Sequence, residues 1–114
     1  MPQIYRDDDK PTIVRKIAAI IEHHNPNRYR IVSMESTEPA KEQADLILYE
    51  ADTEKPSLLI SVETVKSLGG SETPDHWGTL MKQGSLQIYV PKGQAPRAKG
   101  LLKRNNIKAH IVEY

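Results

Sequence analysis

Apolar and polar residues recur along the chain with two different periods, and these periods predict helices and strands. After Pro11, which suits the first turn of a helix, apolar residues recur at a spacing near 3.6. They are Ile13, Val14, Ile17, Ala18, Ile20 and Ile21. Asn25-Pro26-Asn27 interrupts this pattern, because asparagine and proline favour turns. The pattern therefore predicts an amphipathic helix that begins near Pro11 and ends before Asn25.

Three short runs rich in β-branched and aromatic residues follow, and they predict an antiparallel meander. The runs are Tyr29–Met34, Asp45–Tyr49 and Ser57–Val62. A polar connection, Glu35–Gln43, separates the first two. Ala51–Pro56 has the composition of a turn, so the second and third runs form a predicted hairpin.

The second half of the chain alternates between helical and strand patterns. Gly69-Gly70 breaks the chain, and Thr73-Pro74-Asp75 is typical of a helix N-terminus, with a capping residue, a proline and an acid. A strand, a helix and a strand within about 28 residues require parallel strands joined by a right-handed crossover. The predicted elements are helices at Thr73–Gln83 and Ala95–Arg104, and strands at Leu86–Val90 and Lys108–Glu113.

An apolar stripe marks one side of the predicted helix at Thr73–Gln83. Trp77, Leu80 and Met81 lie at spacings of i, i+3 and i+4. This spacing predicts that the three side chains pack against the sheet. The alternative is that His76 and Trp77 form part of a surface that stacks on nucleotides.

The element order, αβββαβαβ, predicts an α/β fold with a mixed sheet and helices on its faces. With 114 residues, 38% of them hydrophobic and 27% charged, we expect residues 1–114 to form one domain. The chain has no cysteine, which excludes disulfide scaffolds, thiolate zinc sites and thiol nucleophiles. It has neither an apolar run long enough to span a bilayer nor a signal-peptide pattern, so we expect a cytoplasmic protein without membrane contact.

Charge is distributed unevenly, although the whole chain carries only +1. Residues 35–63 hold eight acids and two lysines, a net charge of −6, whereas residues 92–108 hold six cations and no acid. An acidic pocket beside a basic surface suits a metal-assisted enzyme that acts on a polyanion. The alternative is two solvated faces that serve solubility. The basic residues that we expect to contact phosphates are Lys92, Arg97, Lys103 and Arg104.

The predicted hairpin brings two carboxylates together at one end of the sheet. A turn centred near residue 54 places Asp45 opposite Glu63, and with them Ile47 opposite Ser61 and Tyr49 opposite Leu59, all on one face. Two carboxylates about 5 Å apart repel each other by ~3 kcal/mol at an effective dielectric near 20. A Mg²⁺ or Mn²⁺ ion would offset this repulsion. Two alternatives are a different register, and screening by water with Lys66 or Lys41.

These residues and their order resemble the PD-(D/E)XK nuclease-like superfamily. The resemblance rests on the αβββαβ order and on two segments, Ala44-Asp45-Leu46-Ile47-Leu48 and Leu59-Ile60-Ser61-Val62-Glu63-Thr64. It extends to Trp77, Ile88-Tyr89-Val90-Pro91-Lys92-Gly93, Leu101-Leu102-Lys103 and Asn106-Ile107-Lys108-Ala109. The resemblance implies a three-layer restriction endonuclease-like fold and an aspartate, an acid and a lysine that together bind metal and activate water.

Only part of this motif matches. Asp45 stands at the metal-binding aspartate, Ser61 at the second acid and Glu63 at the lysine, a position where some active relatives carry glutamate. A serine hydroxyl is a poor ligand for Mg²⁺. Within the resemblance, a migrated acid could complete the site, and Lys66 could supply the ammonium if the strand bends after Glu63. The candidate acids are Glu22, Glu38 and Glu42.

Two functions follow from the resemblance, and a third remains open. The first is a metal-dependent nuclease that hydrolyses DNA or RNA, with Asp45 and Glu63 as ligands of Mg²⁺ or Mn²⁺ and with Lys66 as the third catalytic residue. The second is a catalytically decayed nuclease fold that binds nucleic acid or another protein. Both of these functions favour a homodimer, since so small a chain would need a second copy to surround a nucleic-acid duplex. The third is a small domain without a nucleic-acid role.

Overall fold

The computed structural model describes residues 3–5, 8–33, 44–50 and 56–114. The predicted connection at Glu35–Gln43, with Glu38 and Glu42, lies outside this part of the chain, as do residues 51–55 of the predicted turn. The elements are α1 (Lys10–His24), β1 (Tyr29–Ser33), β2 (Leu46–Glu50), β3 (Pro56–Val62), α2 (Val65–Leu68), α3 (Thr73–Gln83), β4 (Leu86–Val90), α4 (Ala95–Arg104) and β5 (His110–Glu113).

The strands form one mixed sheet of five strands in the order β1-β2-β3-β4-β5. β2 is antiparallel to both β1 and β3, whereas β4 is parallel to both β3 and β5. The connections explain this change of direction, because a helix between two strands returns the chain to the end where the first strand began. The predicted α/β architecture, with an antiparallel meander followed by parallel strands, is confirmed.

Helices cover both faces of the sheet, and two apolar clusters hold them there. Side chains of a strand point alternately to the two faces, so Leu59 and Ile60 belong to different clusters. On one face α1 buries Ile13, Val14, Ile17 and Ile21 against Leu46, Leu48, Ile60 and Val62. On the other face Trp77, Leu80, Ala98 and Leu102, from α3 and α4, pack with Leu59, Leu86, Ile88 and Val90. The predicted packing of Trp77 against the sheet is confirmed.

The short helix α2 is the element that the hydrophobic pattern did not predict. Four residues are too few to show a helical period. Its start is instead fixed by a reciprocal cap, in which the Thr64 side chain accepts from the backbone N–H of Ser67 at 3.1 Å and the Ser67 side chain accepts from that of Thr64 at 2.8 Å. This cap turns the chain away from the sheet directly after Glu63.

The predicted register of the hairpin is wrong by two residues. Leu46 pairs with Ile60 and Ile47 pairs with Leu59, so Asp45, directly before β2, lies level with Ser61 rather than with Glu63. The pairing expected for Ile47 fails by the same two residues, whereas Tyr49 pairs with Pro56, three residues from the expected Leu59. An irregularity between Leu48 and Tyr49 shifts the register within the hairpin, which a turn centre alone does not reveal. Because the error at Asp45 and Ile47 is two residues, the predicted face of these two residues is unchanged.

Within the part of the chain that the structure describes, no helix has the length and apolar character needed to cross a bilayer.

Candidate functional site

Glu63, the first residue after β3, carries a carboxylate that is buried and hydrogen-bonded on both oxygens. The residue is 4% exposed. Its Oε1 accepts from the hydroxyl of Ser61 at 2.9 Å and from the indole N–H of Trp77 at 3.1 Å. Its Oε2 accepts from the hydroxyl of Ser67 at 2.5 Å. Three neutral donors from β3, α2 and α3 thus replace the water that the carboxylate loses on burial.

Tyr114 reaches the same residue from the end of β5. Its hydroxyl donates to the backbone carbonyl of Glu63 at 2.7 Å, while its own backbone N–H donates to Val90 in β4 at 2.9 Å. Burial, together with the negative charge of Glu63, raises the pKa of Tyr114 to about 12. The phenol therefore stays neutral and able to donate at any physiological pH.

Asp45 lies at the start of β2, and both its oxygens have partners. Oδ1 lies 3.3 Å from the ammonium of Lys10 in α1, and Oδ2 accepts from the backbone N–H of Val62 at 2.7 Å. Burial raises the pKa of Asp45 above its usual value, Lys10 and Val62 oppose this, and the charge of Glu63 raises the pKa further. Asp45 and Glu63 therefore lie within electrostatic reach of each other.

A cleft of about 440 Å³ opens above Glu63. Its walls are the first residue of α1, the α2–α3 connection and the first turn of α3. It is lined by Lys10, Glu63, Ser67, Gly70, Ser71, Glu72, Thr73 and His76. The lining residues carry two carboxylates, one ammonium, an imidazole and three hydroxyl groups.

Sequence reasoning missed Lys10, Ser67 and Tyr114, which contact Asp45 or Glu63, and the lining residues Ser71 and Glu72. A signal for Ser67 exists in the Thr-x-x-Ser spacing from Thr64, which resembles a capping motif. A signal for Lys10 exists as well, since a cation in the first turn of a helix is electrostatically unfavourable and needs another reason to be there.

No protein-family model, curated protein or solved structure matches this chain. The chemistry of the site must therefore be judged from its own residues.

The arrangement of Asp45 and Glu63 fits a divalent metal poorly. Mg²⁺ takes near-octahedral oxygen ligands and Mn²⁺ likewise favours oxygen donors, but both oxygens of each carboxylate already accept hydrogen bonds or an ion pair. Ser61, at the position of the second acid, is fully buried and donates to Glu63. Among the described residues, no group of three or more histidine or acidic side chains is placed to hold a metal.

Of the predicted catalytic residues Asp45, Glu63 and Lys66, Glu63 alone is a lining residue of the cleft. The chain does bend after Glu63, but Lys66 is exposed on α2 and is not one of the lining residues. Glu22 lies in the last turn of α1, about 18 Å along the helix axis from Lys10, and accepts from the backbone N–H of Asn27 at 3.2 Å. Glu22 is therefore not a migrated ligand of this site.

The predicted phosphate-contacting residues all lie on the surface, on α4 and the turn before it. Ala98 and Leu102 are buried against the sheet, which directs the cationic side chains of the helix outward. Within residues 3–5, 8–33, 44–50 and 56–114, no carboxylate forms an ion pair with them. The exposed cations of this segment are Lys92, Arg97, Lys99, Lys103, Arg104 and Lys108.

Proposed function

We propose that this protein is a nucleic-acid-binding domain that contacts the phosphate backbone through the cationic face of α4. The observation that carries the proposal is the concentration of six exposed cations in residues 92–108, without one acid among them. Cations that have no carboxylate partner among the described residues are available to displace the counterions that surround a polyanion. The element order and the mixed sheet support the further proposal that the scaffold is restriction endonuclease-like.

The spacing of the cations along α4 suits an extended anionic partner. The helix has ten residues and is about 15 Å long. Arg97 and Arg104 are seven residues apart, so they lie on the same side two turns from each other. Lys99 and Lys103 are four residues apart and lie one turn from each other on the opposite flank. Two parallel rows of positive charge therefore border the outward surface of the helix.

The site around Glu63 supports binding rather than hydrolysis as the function of the domain. Metal-dependent cleavage of a phosphodiester needs open coordination positions on a bound ion. The carboxylate of Asp45 instead pairs with Lys10, and the carboxylate of Glu63 accepts hydrogen bonds from side chains of the protein itself. In this proposal the carboxylates hold the fold together, and α4 performs the binding. The homodimer stays a prediction, which sedimentation analysis would check.

The experiment is a salt titration of binding to fluorescent DNA and RNA, single- and double-stranded, followed by anisotropy. One variant replaces Arg97, Lys99, Lys103 and Arg104 with glutamine. The matched control replaces four exposed cations elsewhere with glutamine, so that both proteins lose the same charge. The control positions are Arg15, Arg28, Arg30 and Lys82.

We expect the wild type and the control to bind with the same steep dependence on salt. Each phosphate of duplex DNA that the protein no longer neutralises lowers the slope of log K against log salt by about 0.9, so the α4 variant, which loses four cations, should lose up to about 3.6 units of slope. Equal reductions in both variants would contradict a role for α4, and absence of binding at low salt would favour a domain without a nucleic-acid role. Cleavage with Mg²⁺ that Asp45→Asn and Glu63→Gln abolish would establish the nuclease instead.

A further inference from the structure

Lys10 occupies a position that the physics of its own helix does not explain. It is the first residue of α1, where the partial positive charge of the helix dipole disfavours a cation. The first turn of α1 contains no acidic residue to balance it, and the cap is supplied by Asp9, whose side chain accepts from the backbone N–H of Thr12. A tertiary contact with an acid would offset this cost.

The tertiary partner of Lys10 is Asp45, in a distant part of the chain. The ammonium lies 3.3 Å from Oδ1, and the side chains are 38% and 18% exposed for Lys10 and Asp45 respectively. Lys10 also lines the cleft that has Glu63 in its wall. Lys10 therefore pairs with one of the two carboxylates and lines the cleft that has the other in its wall.

We infer that the Lys10 ammonium is a built-in cation, which takes the place beside Asp45 that a divalent metal would need and keeps this carboxylate site free of metal. This inference does not rest on the proposed binding of nucleic acid. It follows from the poor fit of the site to a metal. Ser61 stands where the motif has its second acid, and Lys10 already supplies one positive charge beside Asp45.

A tethered ammonium excludes a divalent ion for two reasons. A metal at Asp45 would lie within a few ångströms of the Lys10 charge, and repulsion between like charges scales with the double charge of the ion. Displacement of Lys10 would in turn move a half-buried ammonium away from its partner carboxylate. At an ordinary surface ion pair both effects would be much weaker, because solvent screens the charges, so the size of the change in metal affinity distinguishes the two cases.

The test measures Mn²⁺ binding directly, from the electron paramagnetic resonance signal of the free ion, in the full chain. The variants are Lys10→Met, which removes the charge, and Lys10→Gln, which removes the charge but keeps a hydrogen-bond donor for Asp45. Lys10→Arg keeps the charge. Lys82→Met makes the same chemical change at an exposed position of α3. Circular dichroism establishes that each protein is folded, and Lys10→Gln serves if Lys10→Met is not.

We expect the wild type, Lys10→Arg and Lys82→Met to bind Mn²⁺ equally weakly. The neutral variants should bind it about tenfold or more tightly, because one repelling charge is gone. Adding Asp45→Asn to Lys10→Gln should abolish that gain. The inference would be overturned if the neutral variants bound Mn²⁺ no more tightly than the wild type does. Neither result depends on nucleic acid, so the proposed function is tested separately.

Discussion

The carboxylate site and the surface of α4 differ in whether their charged groups have partners within the protein. Glu63 is buried and its oxygens are hydrogen-bonded by three side chains, while Asp45 has Lys10 and a backbone N–H. The cations of α4 are exposed, and no carboxylate of the described residues pairs with them. Charge that the protein satisfies internally serves its own fold, whereas charge left open to solvent is available to another molecule.

This difference separates stability from binding. A buried carboxylate is tolerated only while hydrogen bonds replace its hydration, so the loss of one donor leaves a penalty in the folded state. Exposed cations contribute little to stability, and their replacement changes it by about 0.5 kcal/mol or less. Substitutions around Glu63 should therefore lower the free energy of unfolding, and substitutions on α4 should leave it nearly unchanged.

The largest expected effect is that of Trp77→Ala, in the buried region around Glu63. Trp77 is fully buried and donates to Glu63, so we expect the substitution to lower the free energy of unfolding by about 3–5 kcal/mol. Urea denaturation of both proteins measures it. As a control, Trp77→Phe keeps most of the ring but removes the N–H, and should cost about 1–3 kcal/mol. An unchanged stability of Trp77→Ala would favour a surface role for the indole.

A second prediction adds charge to the buried region instead of removing a donor. Ser61→Glu places another carboxylate in the position level with Asp45 and beside Glu63, and the repulsion should cost about 3 kcal/mol without metal. Ser61→Ala, which only removes one donor, is the control. Thermal melts with and without Mn²⁺ measure both effects, because a ligand at a hundredfold excess over its dissociation constant stabilises by ~2.7 kcal/mol.

The same melts test the assignment of Ser61 as the defective ligand position. The motif predicts that Mn²⁺ raises the melting temperature of Ser61→Glu clearly and that of the wild type hardly at all. If both proteins ignore the metal, or if the wild type already binds it tightly, that assignment is wrong. If the Lys10 ammonium excludes metal, adding Lys10→Gln to Ser61→Glu should increase the rise in melting temperature that Mn²⁺ causes.

Local signals were sufficient to predict most of the fold. The bounds of α3 and α4 agree with the sequence pattern, because each helix has a proline in its first turn and an apolar stripe that faces the sheet. The directions of the strands followed from the lengths of the connections. α2 was missed because its four residues show no period. The register was missed because the expected midpoint of the hairpin lies too late in the chain: Tyr49 pairs with Pro56 rather than with Leu59, and the irregularity between Leu48 and Tyr49 recovers only one of these three residues.

The candidate site was predictable only in part. Alternation in the hairpin placed Asp45 and Glu63 on neighbouring strands, but their partners come from elsewhere. Lys10 approaches from the start of α1 and Ser67 from the unpredicted α2. These contacts join residues whose positions depend on how the helices pack, and no local period encodes that. The sequence could therefore indicate where carboxylates gather but not what satisfies them.

A smaller effect is expected where the two regions meet, at Glu113 in β5. Its Oε2 accepts from the backbone N–H of Gly93 at 2.9 Å and of Ala95 at 3.0 Å, and so caps α4, which has no side-chain cap of its own. Glu113→Ala should lower the free energy of unfolding by about 1 kcal/mol in urea denaturation. Glu113→Gln keeps an oxygen acceptor and should lose less. Equal losses for the two variants would mean that the negative charge, rather than the hydrogen bonds, stabilises the helix.

The smallest effect concerns the pH dependence that Tyr114 confers on the buried region. Its pKa is raised from 10.0 to about 12 by burial and by Glu63, so folding favours the neutral phenol. The unfolded chain loses this proton first, and stability should therefore be complete below about pH 10 and fall as the pH rises toward 12. At neutral pH, Tyr114→Phe should cost about 1 kcal/mol, the net value of the lost hydrogen bond to Glu63.

Urea midpoints measured from about pH 9 upward in the wild type and in Tyr114→Phe test this prediction. The variant should lose less stability above pH 10, so the two curves should converge, while Tyr89, whose pKa burial also raises, contributes equally to both. Curves that stay parallel would mean that the Tyr114 hydroxyl is not held against Glu63. The buried region would then depend on side chains from β3, α2 and α3 alone.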